Sequence, residues 1–120
     1  MANRVTGILR HMLEDANDVL AFCTEAETFE TFSQSPLYKK AIVMSIINIG
    51  ELTKRLPQEF KELHCDIPWR KISGMRDISA HGYHIIEDEI VWDVAKNYIP
   101  ELMLFLEKAI HSIESDRPAK

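Results

Sequence analysis

Three side chains in the second half of the chain, those of Arg76, His81 and Tyr83, have the types and spacing that phosphodiester chemistry needs. Arginine presents a planar fork of donors that pairs with phosphate oxygens and keeps its charge. Histidine exchanges a proton near neutral pH, and tyrosine donates a hydrogen bond, stacks on a base or accepts a transferred group. Together they suit metal-independent RNA cleavage, in which the 2′-hydroxyl attacks the adjacent phosphate and arginine stabilises the anionic transition state.

The spacing of these residues leaves their geometry open. On an unbroken helix Arg76 and His81 point about 140° apart. Either the helix loosens before His81, or the two residues act across a subunit interface. One histidine per chain cannot supply both an acid and a base, whereas a two-fold dimer brings two copies together. The pattern taken alone is weak, and a salt-bridge and packing cluster at a helix end is the alternative interpretation.

The elements that must position these residues are helices. Apolar residues recur at spacings of three and four from about Val5 to Glu27, which predicts a first long helix. Ser35 and Pro36 form an N-cap signal, and a second helix is predicted from there to about Leu56, ended by Pro57. This second helix is apolar around most of its surface, which is typical of a helix that is central or buried at an interface.

The remaining segments also have helical patterns. A short helix is predicted within 57–65, and a further one over about 68–80, ahead of Gly82. The last element should run from the acidic cluster 87–89 to about Ile113, with a kink or a break at Pro100. The segment 28–35 interrupts the pattern between the first two long helices.

The sequence therefore predicts an all-α fold, an antiparallel bundle of four or five helices that forms a dimer. Residues 1–120 form a single domain, and we expect the polar tail 115–120 to fray.

Composition narrows the class of protein. The net charge of −5 does not suit a protein that coats nucleic acid through a general positive field, although Lys54, Arg55, Arg70 and Lys71 form local basic pairs. No apolar run is long enough for a membrane span and no signal peptide precedes the first helix, so we expect a cytoplasmic protein. The two cysteines are too few for a disulfide framework or a zinc site. We expect no cofactor and no bound metal.

The segment Arg76-Asp77-Ile78-Ser79-Ala80-His81-Gly82-Tyr83 resembles the Arg-x4-His-x-Tyr signature of the HepT-like branch of the HEPN superfamily. The context is similar too. Ile49-Gly50-Glu51 resembles that family's Ile-Gly-Glu segment on the second helix, and residues 67–76 resemble its lead-in to the signature. Residues 89–92 and 99–102 resemble parts of its final helix. The likeness extends over nearly the whole chain in the same order.

The resemblance implies a HEPN ribonuclease toxin that acts as a homodimer, with its active site at the subunit interface. The family's partner is a minimal nucleotidyltransferase antitoxin, which in some systems transfers AMP to the signature tyrosine. Carried over to this chain, Arg76 and His81 are catalytic, and Tyr83 is both a site residue and a candidate for modification. The substrate is RNA.

Two positions depart from the family's usual pattern. Asp77 stands where the family often has Asn, and Ala80 stands where it often has a bulky aliphatic residue. Asp77 either places a negative charge near the RNA phosphate or orients Arg76 or His81. Glu51 is the remaining site candidate: it either pairs with Arg55 one turn later or orients Arg76.

A second class of function is compatible with the same residues. A non-catalytic helical module that binds a nucleotidyltransferase would also carry this fold, and the net negative charge together with Asp77 favours that interpretation. A plain dimerisation domain is a third, weaker hypothesis. The intact arginine, histidine and tyrosine favour the ribonuclease.

Overall fold

In a computed structural model of the chain, which describes residues 2–75 and 88–115, every regular element is a helix. In chain order these are α1 (Ala2–Ala26), α2 (Phe29–Gln34), α3 (Pro36–Arg55), α4 (Gln58–Leu63), α5 (Trp69–Gly74), α6 (Asp88–Asp93), a π-helical turn (Val94–Tyr98) and α7 (Ile99–Ser115). The predicted all-α helical bundle is confirmed.

Helix α1 is the centre of the bundle and packs against both α3 and α7. The contacts run in antiparallel order: Glu25 lies near Tyr38 at the start of α3, and Arg10 pairs with Glu114 at the end of α7. The side chains that α1 turns inward are almost fully buried, as its three- and four-residue apolar spacing predicted. They include Leu9, Met12, Ala16, Val19 and Cys23.

Helix α3 begins and ends where the sequence predicted. The Ser35 hydroxyl accepts a hydrogen bond from the Tyr38 backbone N–H at 3.2 Å, and Pro36 occupies the first turn, where its missing N–H has no cost. The inner face of α3 is buried in the bundle core. Leu37 and Met44, by contrast, are 72% and 54% exposed.

The break predicted over 28–35 contains a helix of its own. Glu27 adopts a left-handed conformation with φ of 67°, which ends α1, and the Thr28 hydroxyl then accepts a hydrogen bond from the Thr31 N–H to start α2. One turn and a half of helix is too short for a periodic pattern, so the sequence showed only its turn residues.

The two later helices differ from their predicted extents. Helix α5 ends at Gly74, and residues 76–80 of the predicted segment 68–80 lie outside the described residues, as do residues 116–120 of the expected tail. The final element is divided at the π-helical turn just before Pro100, where the Ile99 N–H donates to the Val94 carbonyl. A proline cannot donate to the carbonyl four residues earlier, so a wider turn at this point accommodates it.

None of the described helices is both long and apolar enough to cross a membrane.

Candidate functional site

The predicted site residues divide into two groups. Arg76, Asp77, His81 and Tyr83 lie in segment 76–87, outside the described residues, whereas Glu51 is described. The structure therefore shows the supports on either side of the signature segment and the surroundings of Glu51.

Helix α5 leads into the signature segment and is fixed to the core at its end. Ile72 and Met75 are almost completely buried, with 1% and 7% of their surfaces exposed. At its start, the Trp69 indole N–H donates to the Lys61 and His64 carbonyls, each at 3.1 Å. These bonds satisfy carbonyls at the end of α4 and join α4 to α5. The residue directly before Arg76 is thus immobilised by packing.

Asp88, the first described residue after the signature segment, is held by one side chain from α2 and one from α3. Its carboxylate accepts a hydrogen bond from the Ser33 hydroxyl at 3.0 Å and forms an ion pair with Lys39 at 3.4 Å. Four residues later the Trp92 ring packs on Phe32, with ring centroids 5.0 Å apart. Met75 and Asp88, the described residues on either side of 76–87, are therefore both held by the bundle, Asp88 through α2 and α3.

The sequence did not predict this second anchor. Ser33 and Asp88 are 55 residues apart, and no local spacing rule connects them. Lys39, in α3, is 49 residues from Asp88. The acidic cluster at 87–89 was interpreted as the start of a helix, and its described members, Asp88 and Glu89, lie in the first turn of α6. The partners of Asp88 became visible only from its contacts with α2 and α3.

Glu51 lies on an open cleft of about 300 Å³ between α1 and α3. The cleft is also lined by His11, Asp15, Asn48 and Arg55. Glu51 is exposed, so its carboxylate is accessible from solvent. Both residues of the predicted Glu51–Arg55 pair line this one cleft, and the other alternative, a contact with Arg76, falls outside the described residues.

Asp15 gives this cleft an unusual electrostatic character. Burial raises the pKa of the Asp15 carboxyl above its ordinary value of 3.8, and the nearby charges of Asp18 and Glu14 raise it further. His11 and a hydrogen bond with Asn48 act in the opposite direction and are smaller effects. The linear sequence did not reveal that a carboxyl with a raised pKa lines the same cleft as Glu51.

A second concavity, of about 350 Å³, lies between the end of α5 and the π-helical turn. Lys71, Met75, Asn97 and Tyr98 line it, and the Asn97 amide donates to the Asp93 carboxylate at 2.6 Å. Burial, followed by the charge of Glu101, raises the pKa of the Tyr98 hydroxyl. Both effects favour the neutral form of the phenol.

Comparison with known proteins decides the family. Residues 10–109 match the family model described as "Ribonuclease HepT-like", which covers more than four fifths of the chain and includes the whole segment Arg76–Tyr83. The chain belongs to the HepT-like ribonuclease family. The resemblance inferred from the signature is confirmed, and membership of this family supports ribonuclease activity for the chain.

Several relatives are similar along most of their length. A protein of Caldanaerobacter subterraneus subsp. tengcongensis that is provisionally named an RNase is 38% identical over 94 residues, covering 78% of this chain and 83% of the relative. A provisionally named RNase of Methanocaldococcus jannaschii is 33% identical over 112 residues, covering 93% and 92%. A "probable ribonuclease HepT" of Thermococcus cleftensis is 32% identical over 96 residues, covering 80% and 87%. No solved structure matches the chain significantly.

Proposed function

We propose that this protein is the toxin component of a toxin–antitoxin pair and a metal-independent endoribonuclease. The observation that carries the proposal is the family match over residues 10–109, which contains Arg76, His81 and Tyr83 in the family's order. In this proposal Arg76 binds the scissile phosphate and stabilises its transition-state charge, and His81 moves the proton. Asp77, Tyr83 and Glu51 support the site.

The described structure is consistent with a site that must be held from both sides. Met75 and Asp88, which flank the signature segment, are fixed by packing and by an ion pair. A catalytic arginine and histidine work only when their geometry is maintained, because misplacement by about 1 Å lowers the rate strongly. The two anchors would provide that constraint from parts of the chain that carry no catalytic group.

We propose that the active unit is a homodimer whose interface includes the exposed face of α3. Leu37, Met44 and Glu51 repeat every seven residues, so they follow one side of this helix. Leu37 and Met44 are large apolar side chains exposed to solvent, while the opposite side of the helix is buried. A second copy packed on this face would cover the apolar residues and bring both copies of Glu51 to the interface.

The partner in the proposed pair is a minimal nucleotidyltransferase antitoxin in the cytoplasm. Its reaction would transfer AMP from ATP to the Tyr83 hydroxyl: the phenolic oxygen bonds to the α-phosphorus, pyrophosphate leaves and the hydroxyl proton is released. That group would place a phosphate and a base beside His81 and Arg76, where both steric exclusion of RNA and neutralisation of the arginine would block cleavage.

Incubation of the purified protein with tRNA and mRNA in EDTA tests the enzyme directly. A His81→Ala variant purified in parallel is the control. Cleavage by the wild type alone is expected. Cleavage by both would contradict the assignment of His81, and cleavage by neither, from folded protein free of AMP on Tyr83, would favour the non-catalytic module that binds a nucleotidyltransferase. Growth arrest on expression that His81→Ala abolishes would support the toxin.

Glu51 has a separate test. Because a carboxylate that orients Arg76 acts in the transition state, Glu51→Ala should lower kcat about tenfold or more with little change in KM. Glu107→Ala on the exposed side of α7 is the matched control, since it removes the same charge from a helix surface. Full activity in Glu51→Ala would leave only a structural role for Glu51, such as its pairing with Arg55.

A further inference from the structure

A polar groove of about 530 Å³ lies between α4 and α5, on the chain segment that leads to the signature. Two cations, Lys61 and Arg70, line it from opposite helices. Gln58, Ser73 and Cys65 contribute further polar surface, and Glu62 is the single acidic residue in the lining. The groove is open to solvent along its length, which suits an extended polymer better than a compact small molecule.

The charge around this groove is opposite to that of the molecule as a whole. The lining of the groove contains the cations Lys61 and Arg70 and the anion Glu62, a net charge of +1, within a chain whose net charge is −5. The rest of the chain therefore carries −6. An acidic protein repels a polyanion at most of its surface, so a local positive region confines the approach of the polyanion to that region.

The walls of the groove are rigid. The Trp69 N–H bonds to the Lys61 and His64 carbonyls join the two helices that form it. The Trp69 ring also packs against Phe60 and Phe105, with centroids 5.9 and 5.5 Å apart. A binding surface that is already ordered loses little conformational entropy when it binds a ligand.

The groove also lies close to the predicted catalytic residues along the chain. Ser73 in its lining precedes Arg76 by three residues, a length that spans at most about 11 Å even when fully extended. Arg70 precedes Arg76 by six residues. The groove therefore adjoins the part of the chain that leads directly into Arg76.

We propose that the groove between α4 and α5 binds the phosphate backbone of single-stranded RNA, with Lys61 and Arg70 each contacting a phosphate next to the one that is cleaved. This inference rests on the proposed ribonuclease function and adds the path of its substrate. Lys61 and Arg70 determine affinity and touch no reacting atom. Contacts to phosphates carry no base sequence, so the groove contributes to binding all RNA sequences equally.

The first experiment measures RNA binding without cleavage. In the His81→Ala background, Lys61→Gln/Arg70→Gln is compared with Arg4→Gln/Lys108→Gln, which removes the same two charge types from exposed positions on α1 and α7. Binding of a fluorescent 12-nucleotide RNA is followed by anisotropy over a range of salt concentrations. The groove variant should lose about 1.4 from the slope of log affinity against log salt concentration, since each phosphate contact in a single strand contributes about 0.7. The control variant should keep the slope.

The two cysteines offer a second, independent measurement. Cys65 is exposed in the groove lining, whereas Cys23 is buried in the core and burial raises its thiol pKa, so alkylation should reach Cys65 alone. Bound RNA should slow the alkylation of Cys65 severalfold, as measured by mass spectrometry. This protection should disappear in the groove variant and persist in the control.

Cleavage kinetics then separate the groove from the catalytic centre. Lys61→Gln/Arg70→Gln in the active enzyme should raise KM about tenfold and leave kcat within twofold. The proposal would be overturned if the groove variant kept the wild-type salt slope and RNA left the rate of Cys65 alkylation unchanged. It would also be overturned if an acidic polypeptide of equal charge protected Cys65 and RNA did not. If RNA slows the alkylation of Cys65 in the wild-type protein but the protein does not cleave that RNA, the ribonuclease function is refuted and the groove remains an RNA-binding site.

Discussion

At the scale of single residues, burial changes the pKa of a side chain and thereby the pH dependence of stability, and Asp15 is the clearest case. Its pKa is raised mainly by burial, so the folded state holds the proton more tightly than the unfolded state does. The contribution of Asp15 to stability is therefore most favourable below the unfolded value of 3.8 and declines as the pH rises through the raised pKa.

Replacement of the Asp15 carboxyl by an amide should remove the free-energy cost of keeping a partly buried carboxylate charged at neutral pH. We expect Asp15→Asn to have a larger free energy of unfolding than the wild type at pH 7, and the difference should shrink as the pH falls toward 4. Urea denaturation at several pH values measures both quantities. A difference that stays constant with pH, or a loss of stability at pH 7, would contradict this explanation of Asp15.

Two buried threonines differ in whether the hydroxyl has a hydrogen-bond partner, so their replacement by valine should have opposite effects on stability. The Thr6 hydroxyl has no hydrogen-bond partner among the described residues, whereas the Thr53 hydroxyl donates to the Ile49 carbonyl at 2.9 Å. Valine has nearly the same shape, so Thr6→Val should stabilise the protein by about 1 kcal/mol and Thr53→Val should destabilise it by about 1 kcal/mol. Thermal and urea unfolding of the two variants would show opposite signs. Equal signs would mean that Thr6 has a partner.

At the scale of elements, the contacts of Asp88 with α2 and α3 hold the start of α6 on the bundle. Lys39 and Asp88 are about one third and one quarter exposed, so their ion pair is less screened than a fully exposed pair. A double-mutant cycle with Lys39→Met and Asp88→Asn should give a coupling energy of up to about 1 kcal/mol in urea unfolding.

The Arg10–Glu114 pair is the matched comparison, because its side chains are 53% and 40% exposed and it joins α1 to α7 instead. Its coupling energy should be smaller. Under the proposed function, breaking the Lys39–Asp88 pair should also lower RNA cleavage, while breaking Arg10–Glu114 should not. Equal losses of activity from both pairs would show that the effect is a general loss of stability.

Element boundaries illustrate how far sequence reasoning extends. The start of α3 was predicted to the residue because Ser35 and Pro36 act on the first turn alone. The helix α2 was missed because six residues are too few to display periodicity, and its stability comes from Phe32, which is fully buried against Trp92. Local signals set boundaries, whereas packing decides whether a short segment becomes a helix.

At the scale of the whole molecule, the proposed homodimer predicts a mass of about twice 13.9 kDa in light scattering. Met44→Glu should shift the protein toward the monomer, because it places a charge in the proposed interface of α3. Leu104→Glu is the control, since Leu104 is 60% exposed on α7. A wild-type monomer, or dissociation caused equally by both variants, would refute this interface.

The sequence by itself determined the helical class, the limits of α3 and, through the signature and its context, the family. These depend on local spacing and capping, which act between residues close in the chain. Only the tertiary structure decided that Asp88 meets Ser33 and Lys39, that Asp15 and Glu51 line one cleft, and that Lys61 and Arg70 line one groove. These arrangements bring together residues from different helices, and they depend on how apolar faces pack rather than on any pattern along the chain.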